Sequence, residues 1–130
     1  MNYILILVVS FSISWIVSKF VTKYGKTLGI LDNPKTHKHP KVIHTETIPR
    51  GGGIPIFISL VVTLLIFGKY NNQLWGIILG AGILAVTGFI DDRFPEKFLP
   101  YVRLILNGLA ALCIVATGIS ILYITNPLGG

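Results

Sequence analysis

Apolar residues run along this chain in long blocks, and four of these blocks predict helices that span a membrane. The first covers about Tyr3 to Val21, the second Ile54 to Phe67, the third Leu74 to Ile90 and the fourth about Val102 to Ile124. A bilayer core asks for roughly 20 residues per helix. The second block is short, and at ~1.5 Å per residue it reaches only about two thirds of a ~30 Å core. It crosses only if Gly51, Gly52 and Gly53 enter the membrane with it; a re-entrant segment is the alternative. Polar stretches at 22–53 and 91–101 separate the first block from the second and the third from the fourth.

Composition changes the picture only by excluding water as the solvent. Hydrophobic residues make up 52% of the chain and charged ones 12%, with a mean hydropathy of +0.75. Too little polar sequence remains to cover four apolar helices in a soluble domain. The fold expected is therefore all-α, a polytopic integral membrane protein in a single transmembrane domain. Met1, Asn2 and Tyr3 carry no positive charge and no small-x-small site follows, so the first block reads as a retained helix rather than a cleaved signal. The lone Cys113 excludes an intrachain disulfide and reads as a small buried side chain.

Charge sets the orientation. Lys19, Lys23, Lys26, Lys35, Lys38, Lys41 and Arg50 flank or fill the first polar stretch, and Arg93, Lys97 and Arg103 follow the third block, against only Lys69 between the second and third. The positive-inside rule then places both termini outside, with 22–53 and 91–101 together on the cytoplasmic face. Trp15, Tyr24, Tyr70, Trp75, Tyr101 and Tyr123 lie near segment ends, as interfacial anchors do. Gly76, Gly80, Gly82 and Gly88, with Ala81 and Ala85, make the third helix slim enough for close packing.

Candidate chemistry sits in the two inner stretches. Asp91 and Asp92 are two of only five acidic residues, and they stand side by side after an apolar run. Adjacent positions on a helix differ by ~100°, which suits a division of labour, with one carboxylate binding Mg²⁺ beside phosphates and the other orienting a cation, water or nucleophile. Acidic side chains at a helix C-terminus oppose its dipole, so capping alone does not explain them. In the first stretch, Arg50 precedes Gly51, Gly52 and Gly53 at a helix start, where free N–H groups and the helix dipole favour phosphate and Arg50 offers a bidentate clamp. His37, His39 and His44 match no helix-borne zinc spacing. Two bland readings stay open: charges that set orientation only, in a non-catalytic lipid-binding or scaffold membrane protein, or one half of a transporter with an anion path.

The stretches LDNPKTHKHPKVIHTETIPRGGG and GFIDDRF resemble the polyprenyl-phosphate N-acetylhexosamine-1-phosphate transferases, glycosyltransferase family 4, over about the whole chain. Asp32, Pro34, Lys41, His44, Pro49, Gly52 and Gly53 meet the pattern that opens the second helix, and Asp91, Asp92 and Arg93 meet the one that ends the third. The resemblance implies transfer of N-acetylhexosamine 1-phosphate from a UDP-sugar to polyprenyl phosphate in peptidoglycan or envelope polysaccharide synthesis, with release of UMP. It implies Mg²⁺ as cofactor, Asp91 and Asp92 as metal-binding and catalytic residues, and Lys41, His44, Arg50, Gly52, Gly53 and Arg93 as substrate-binding residues. Partners expected are the lipid, the UDP-N-acetylhexosamine, the plasma membrane and a second copy of the chain as a homodimer, with no nucleic acid. Members of the family run to about ten helices, so the chain reads as an N-terminal portion, expected to be inactive alone.

Overall fold

The computed structural model describes residues 3–32, 48–94 and 98–119. Four α-helices run through them: α1 (Tyr3–Leu28), α2 (Gly53–Phe67), α3 (Asn72–Arg93) and α4 (Pro100–Ala116). Between α1 and α2 lie two short strands, β1 (Leu31–Asp32) and β2 (Ile48–Pro49), paired antiparallel with Leu31 opposite Pro49 and Asp32 opposite Ile48. This small ladder is an addition to the all-helical expectation. Two helices, α1 and α3, are long and apolar enough to cross a membrane, while α2 and α4 are apolar but shorter.

Helix ends differ from the sequence expectation for identifiable reasons. α1 continues past Val21 to Leu28, because Lys23, Tyr24 and Lys26 extend a helix whose charged ends can leave the apolar phase. Lys19 does this within the helix, its Nζ 3.6 Å from the centre of the Trp15 ring one turn away. The helix then stops in a Schellman arrangement. Gly29 takes φ +70, its N–H donates to the Lys26 carbonyl, and the Ile30 N–H donates to the Gly25 carbonyl at 3.1 Å. α3 starts at an Asn71 cap, whose side-chain oxygen accepts from the Leu74 N–H at 2.9 Å. At its other end it runs on through Arg93, so Asp91 and Asp92 lie in the last helical turn and not in a loop. α4 starts at Pro100, where a missing N–H does no harm, and ends at Ala116 rather than Ile124. There the Thr117 hydroxyl donates to the Ile114 carbonyl at 2.7 Å and Gly118 turns to φ +86. Residues 120–124 of the expected fourth span lie outside the described residues.

Successive helices pack on one another, α1 on α2, α2 on α3 and α3 on α4. The α3–α4 seam is built on small residues. Gly76 lies against Thr117, and a Cβ on Gly80 would come within 2.8 Å of Ile114 Cγ1 and 2.9 Å of the Ala110 carbonyl. Among the described residues buried apolar side chains are few, namely Val21, Ile30, Pro55, Leu74 and Ala110. Large apolar residues such as Leu7, Phe11, Leu79 and Leu104 face outward, an arrangement stable against lipid and costly against water. Cys113 is a free thiol and half-buried, more open than expected.

Candidate functional site

The C-terminal end of α1, the N-terminal end of α2, the C-terminal end of α3 and the N-terminal end of α4 meet at one end of the bundle. The assembly begins at Ile30, which is wholly buried. Its carbonyl accepts from the Arg50 N–H at 2.7 Å, which continues the β1–β2 ladder by one bond and delivers the chain to Gly51. Gly51 is buried at φ +99, and a Cβ there would stand 2.7 Å from Ile30 Cδ1. Only glycine suits that position: the backbone angle disfavours any side chain and Ile30 fills the space. Gly25 is held almost as closely, since a Cβ there would stand 3.2 Å from Pro49 Cβ.

That turn aims a backbone donor across the helix gap. The Gly51 N–H donates to the Asp92 carboxylate, and the charges of Arg50 and Arg103 lie within range of the same group. Asp91 points elsewhere and forms an ion pair with Arg103 of α4. The two carboxylates thus have separate partners, as their angular separation on a helix requires. These partners offset only part of the unfavourable position of both acids at the negative end of α3.

Between the α2 start and the α3 end lies a cavity of about 110 Å³ lined by Gly51, Gly53, Ile54, Gly88, Asp91 and Asp92 among others. Gly53, Leu84 and Ala85 also line an adjoining apolar groove of about 230 Å³ between α2 and α3. Nothing stands within 4 Å of where a Cβ on Gly52, Gly53 or Gly88 would be, so the backbone there is open to a ligand. The α2 N-terminus has no side-chain cap, leaving the orphan N–H groups of a first turn to other acceptors.

The donor set fits a hard divalent cation. It consists of carboxylate oxygens, and among the described residues no group of three His, Cys, Asp or Glu side chains could close a protein-only cage. Magnesium is commonly held by one or two carboxylates, with water and substrate phosphates filling its other positions.

Of the residues singled out from sequence, Arg50, Gly52, Gly53, Asp91 and Asp92 come together here. Arg93 lies on another side: its Nε is 3.5 Å from where a Cβ on Gly29 would be, and its guanidinium carbon is 5.5 Å from the centre of the Phe94 ring. Lys41 and His44 lie outside the described residues, as do His37 and His39. Two further residues matter that the sequence does not single out. By sequence Gly51 is only the first of a glycine run, and nothing in the run shows that the Ile30 contact demands glycine at that position rather than at Gly52 or Gly53. Arg103 counts by sequence only as an orientation charge. Its signal is a cation in the first turn of a helix, against the dipole.

Curated proteins resemble the chain over most of its length. It is 29% identical over 113 residues, 86% of its own length and 30% of the relative's, to the probable undecaprenyl-phosphate N-acetylglucosaminyl 1-phosphate transferase of Bacillus subtilis (strain 168). It is 32% identical over 97 residues, 69% of the chain and 27% of the relative, to the phospho-N-acetylmuramoyl-pentapeptide-transferase of Alkaliphilus metalliredigens (strain QYMF). Over 75 residues, 58% of the chain and 19% of the relative, it is 32% identical to the undecaprenyl-phosphate alpha-N-acetylglucosaminyl 1-phosphate transferase of Escherichia coli (strain K12). The chain thus spans less than a third of each of these relatives. No protein-family model matches it, and no solved structure matches it.

Proposed function

We propose, for a chain homologous to the polyprenyl-phosphate sugar-1-phosphate transferases, that it builds the phosphate- and cation-binding end of such an enzyme. The reaction is transfer of N-acetylhexosamine 1-phosphate from a UDP-sugar to polyprenyl phosphate. An oxygen of the lipid phosphate attacks the sugar-linked phosphorus, a new P–O–P bond forms, and the bond to UMP breaks with UMP carrying away the electron pair. The product is a polyprenyl-diphosphate sugar for cell-envelope synthesis.

One observation carries this reading: the glycine-broken start of α2 and the paired acids closing α3 share a cavity, joined by the Gly51 N–H to Asp92 bond. Phosphoryl transfer needs little covalent work from a protein; positioning and charge neutralisation do most of it. Asp91 and Asp92 would hold Mg²⁺, which when bound polarises the phosphoryl oxygens. The Gly52 and Gly53 backbone and the Arg50 guanidinium would hold phosphate oxygens, with Lys41 and His44 as further phosphate contacts carried over from the resemblance. The Gly51 bond fixes the Asp92 carboxylate, so it does not have to be ordered during the reaction. The adjoining apolar groove suits a lipid that approaches from the bilayer. Four membrane spans, both termini outside and the acids on the cytoplasmic face are the topology that goes with this reading, because UDP-sugars are cytoplasmic substrates.

The test is Mg²⁺-dependent binding of UDP-N-acetylglucosamine to the full chain in detergent. Asp91→Asn and Asp92→Asn are each expected to weaken it by about tenfold to a hundredfold, the range for loss of a group that supports a metal site. Undiminished binding in both variants would overturn the proposal and favour a scaffold without catalysis.

A further inference from the structure

Two charges at this end of the bundle stand against their own helices. Asp91 lies in the last turn of α3, where the dipole disfavours an anion, and Arg103 lies in the first turn of α4, where it disfavours a cation. Neither is placed to stabilise the helix that carries it. They pair with each other across the α3–α4 junction, yet that pair is far from buried: 48% of the Arg103 side chain and 28% of the Asp91 side chain remain exposed. Half-exposed ion pairs are weak and easily exchanged. Arg103 also acts on Asp92, so its guanidinium is within electrostatic range of both carboxylates. The nearer arginine in sequence, Arg93, is packed over Gly29 instead.

We propose that Arg103 is an exchangeable phosphate ligand: it pairs with Asp91, and when a divalent cation takes that carboxylate the guanidinium turns to a phosphate oxygen of the substrate. The inference rests on the function proposed above and adds to it a residue and an order of events. One carboxylate cannot satisfy a guanidinium and a dication equally, and the dication has the larger charge. Once displaced, Arg103 stays on the first turn of α4, still within electrostatic range of Asp92 at the cavity. Its fork of donors suits phosphate. The ligand chemistry is a phosphate oxygen, from either the nucleotide diphosphate or the lipid phosphate.

The test titrates the full chain in detergent with Mn²⁺ alone, followed by electron paramagnetic resonance, and then with UDP or farnesyl phosphate at saturating Mn²⁺. Exchange predicts shifts of opposite sign in Arg103→Met. Mn²⁺ binding should tighten by about threefold to tenfold as a competing charge is removed, while binding of a phosphate ligand should weaken by about tenfold, as for loss of one charge-assisted hydrogen bond. Weakening with UDP alone identifies the nucleotide as the source, and weakening with farnesyl phosphate alone identifies the lipid. Arg103→Lys should return Mn²⁺ binding to the original value but recover phosphate binding only in part, since ammonium lacks the fork. This variant also serves if Arg103→Met unfolds. Shifts of the same sign, or none, would overturn the role of Arg103 while leaving the proposed function standing. A wild-type chain that binds Mn²⁺ but neither phosphate ligand overturns both.

Discussion

α3 has two different faces, and they differ in how much space they leave. Toward α4 its first half is closed: Gly76 rests on Thr117 and Gly80 on Ala110 and Ile114, with no room for a methyl group. Toward α2 it is open, with an apolar groove of about 230 Å³ and the smaller acidic cavity beyond it. Gly82 marks the difference on one helix, since a Cβ there would meet the Phe57 ring at an ordinary 3.6 Å. Small residues therefore do two jobs in α3. At Gly76 and Gly80 they let backbones touch, which substitutes for the hydrophobic drive missing between helices in lipid. At Ala85 and Gly88 they keep space beside the carboxylates. The closed contacts lie in the first half of α3 and the open space beside its second half, where the acids are.

Substitutions separate these two roles. The largest loss is expected from Gly80→Leu, which forces side-chain atoms into Ala110 and Ile114 and should lower stability by about 3 kcal/mol. Thermal unfolding in detergent would measure it, and a change within error would mean that the α3–α4 seam is looser than the distances imply. Gly51→Ala comes next, at about 2 kcal/mol, from a strained backbone angle and the Ile30 contact together. Unlike Gly80→Leu, it should also weaken Mg²⁺-dependent UDP-sugar binding in the surviving folded fraction, because the donor to Asp92 moves. The smallest stability effect belongs to Ala85→Leu, within about 1 kcal/mol, since its added carbons have a cavity to enter. Its binding effect should exceed its stability effect, with UDP-sugar affinity falling about threefold to tenfold. Equal loss in both would contradict the claim that the α2 face of α3 is kept open for a ligand.

Much of the fold is legible in the sequence because apolar block length and helix length obey the same constraint. The α2 bounds differ from expectation by one residue at the start, and the small-residue reading of α3 holds at Gly76 and Gly80. Termination is less legible. The ends of α1 and α4 depend on local hydrogen bonds at Gly29 and Thr117, which no hydropathy pattern encodes. The acids are legible as chemistry for an electrostatic reason, their placement against a helix dipole, and the same reasoning applied to Arg103 points to it too.

Sequence alone determined the solvent, the number of apolar helices and the residue types at the candidate site, because these follow from transfer energies and charge, which belong to each residue separately. The tertiary structure decided which glycine is indispensable, which arginine faces the acids and which partner each carboxylate takes. Those are questions of distance between residues far apart in the chain, and a Cβ 2.7 Å from Ile30 exists only once α1, the β1–β2 ladder and α2 have been brought together.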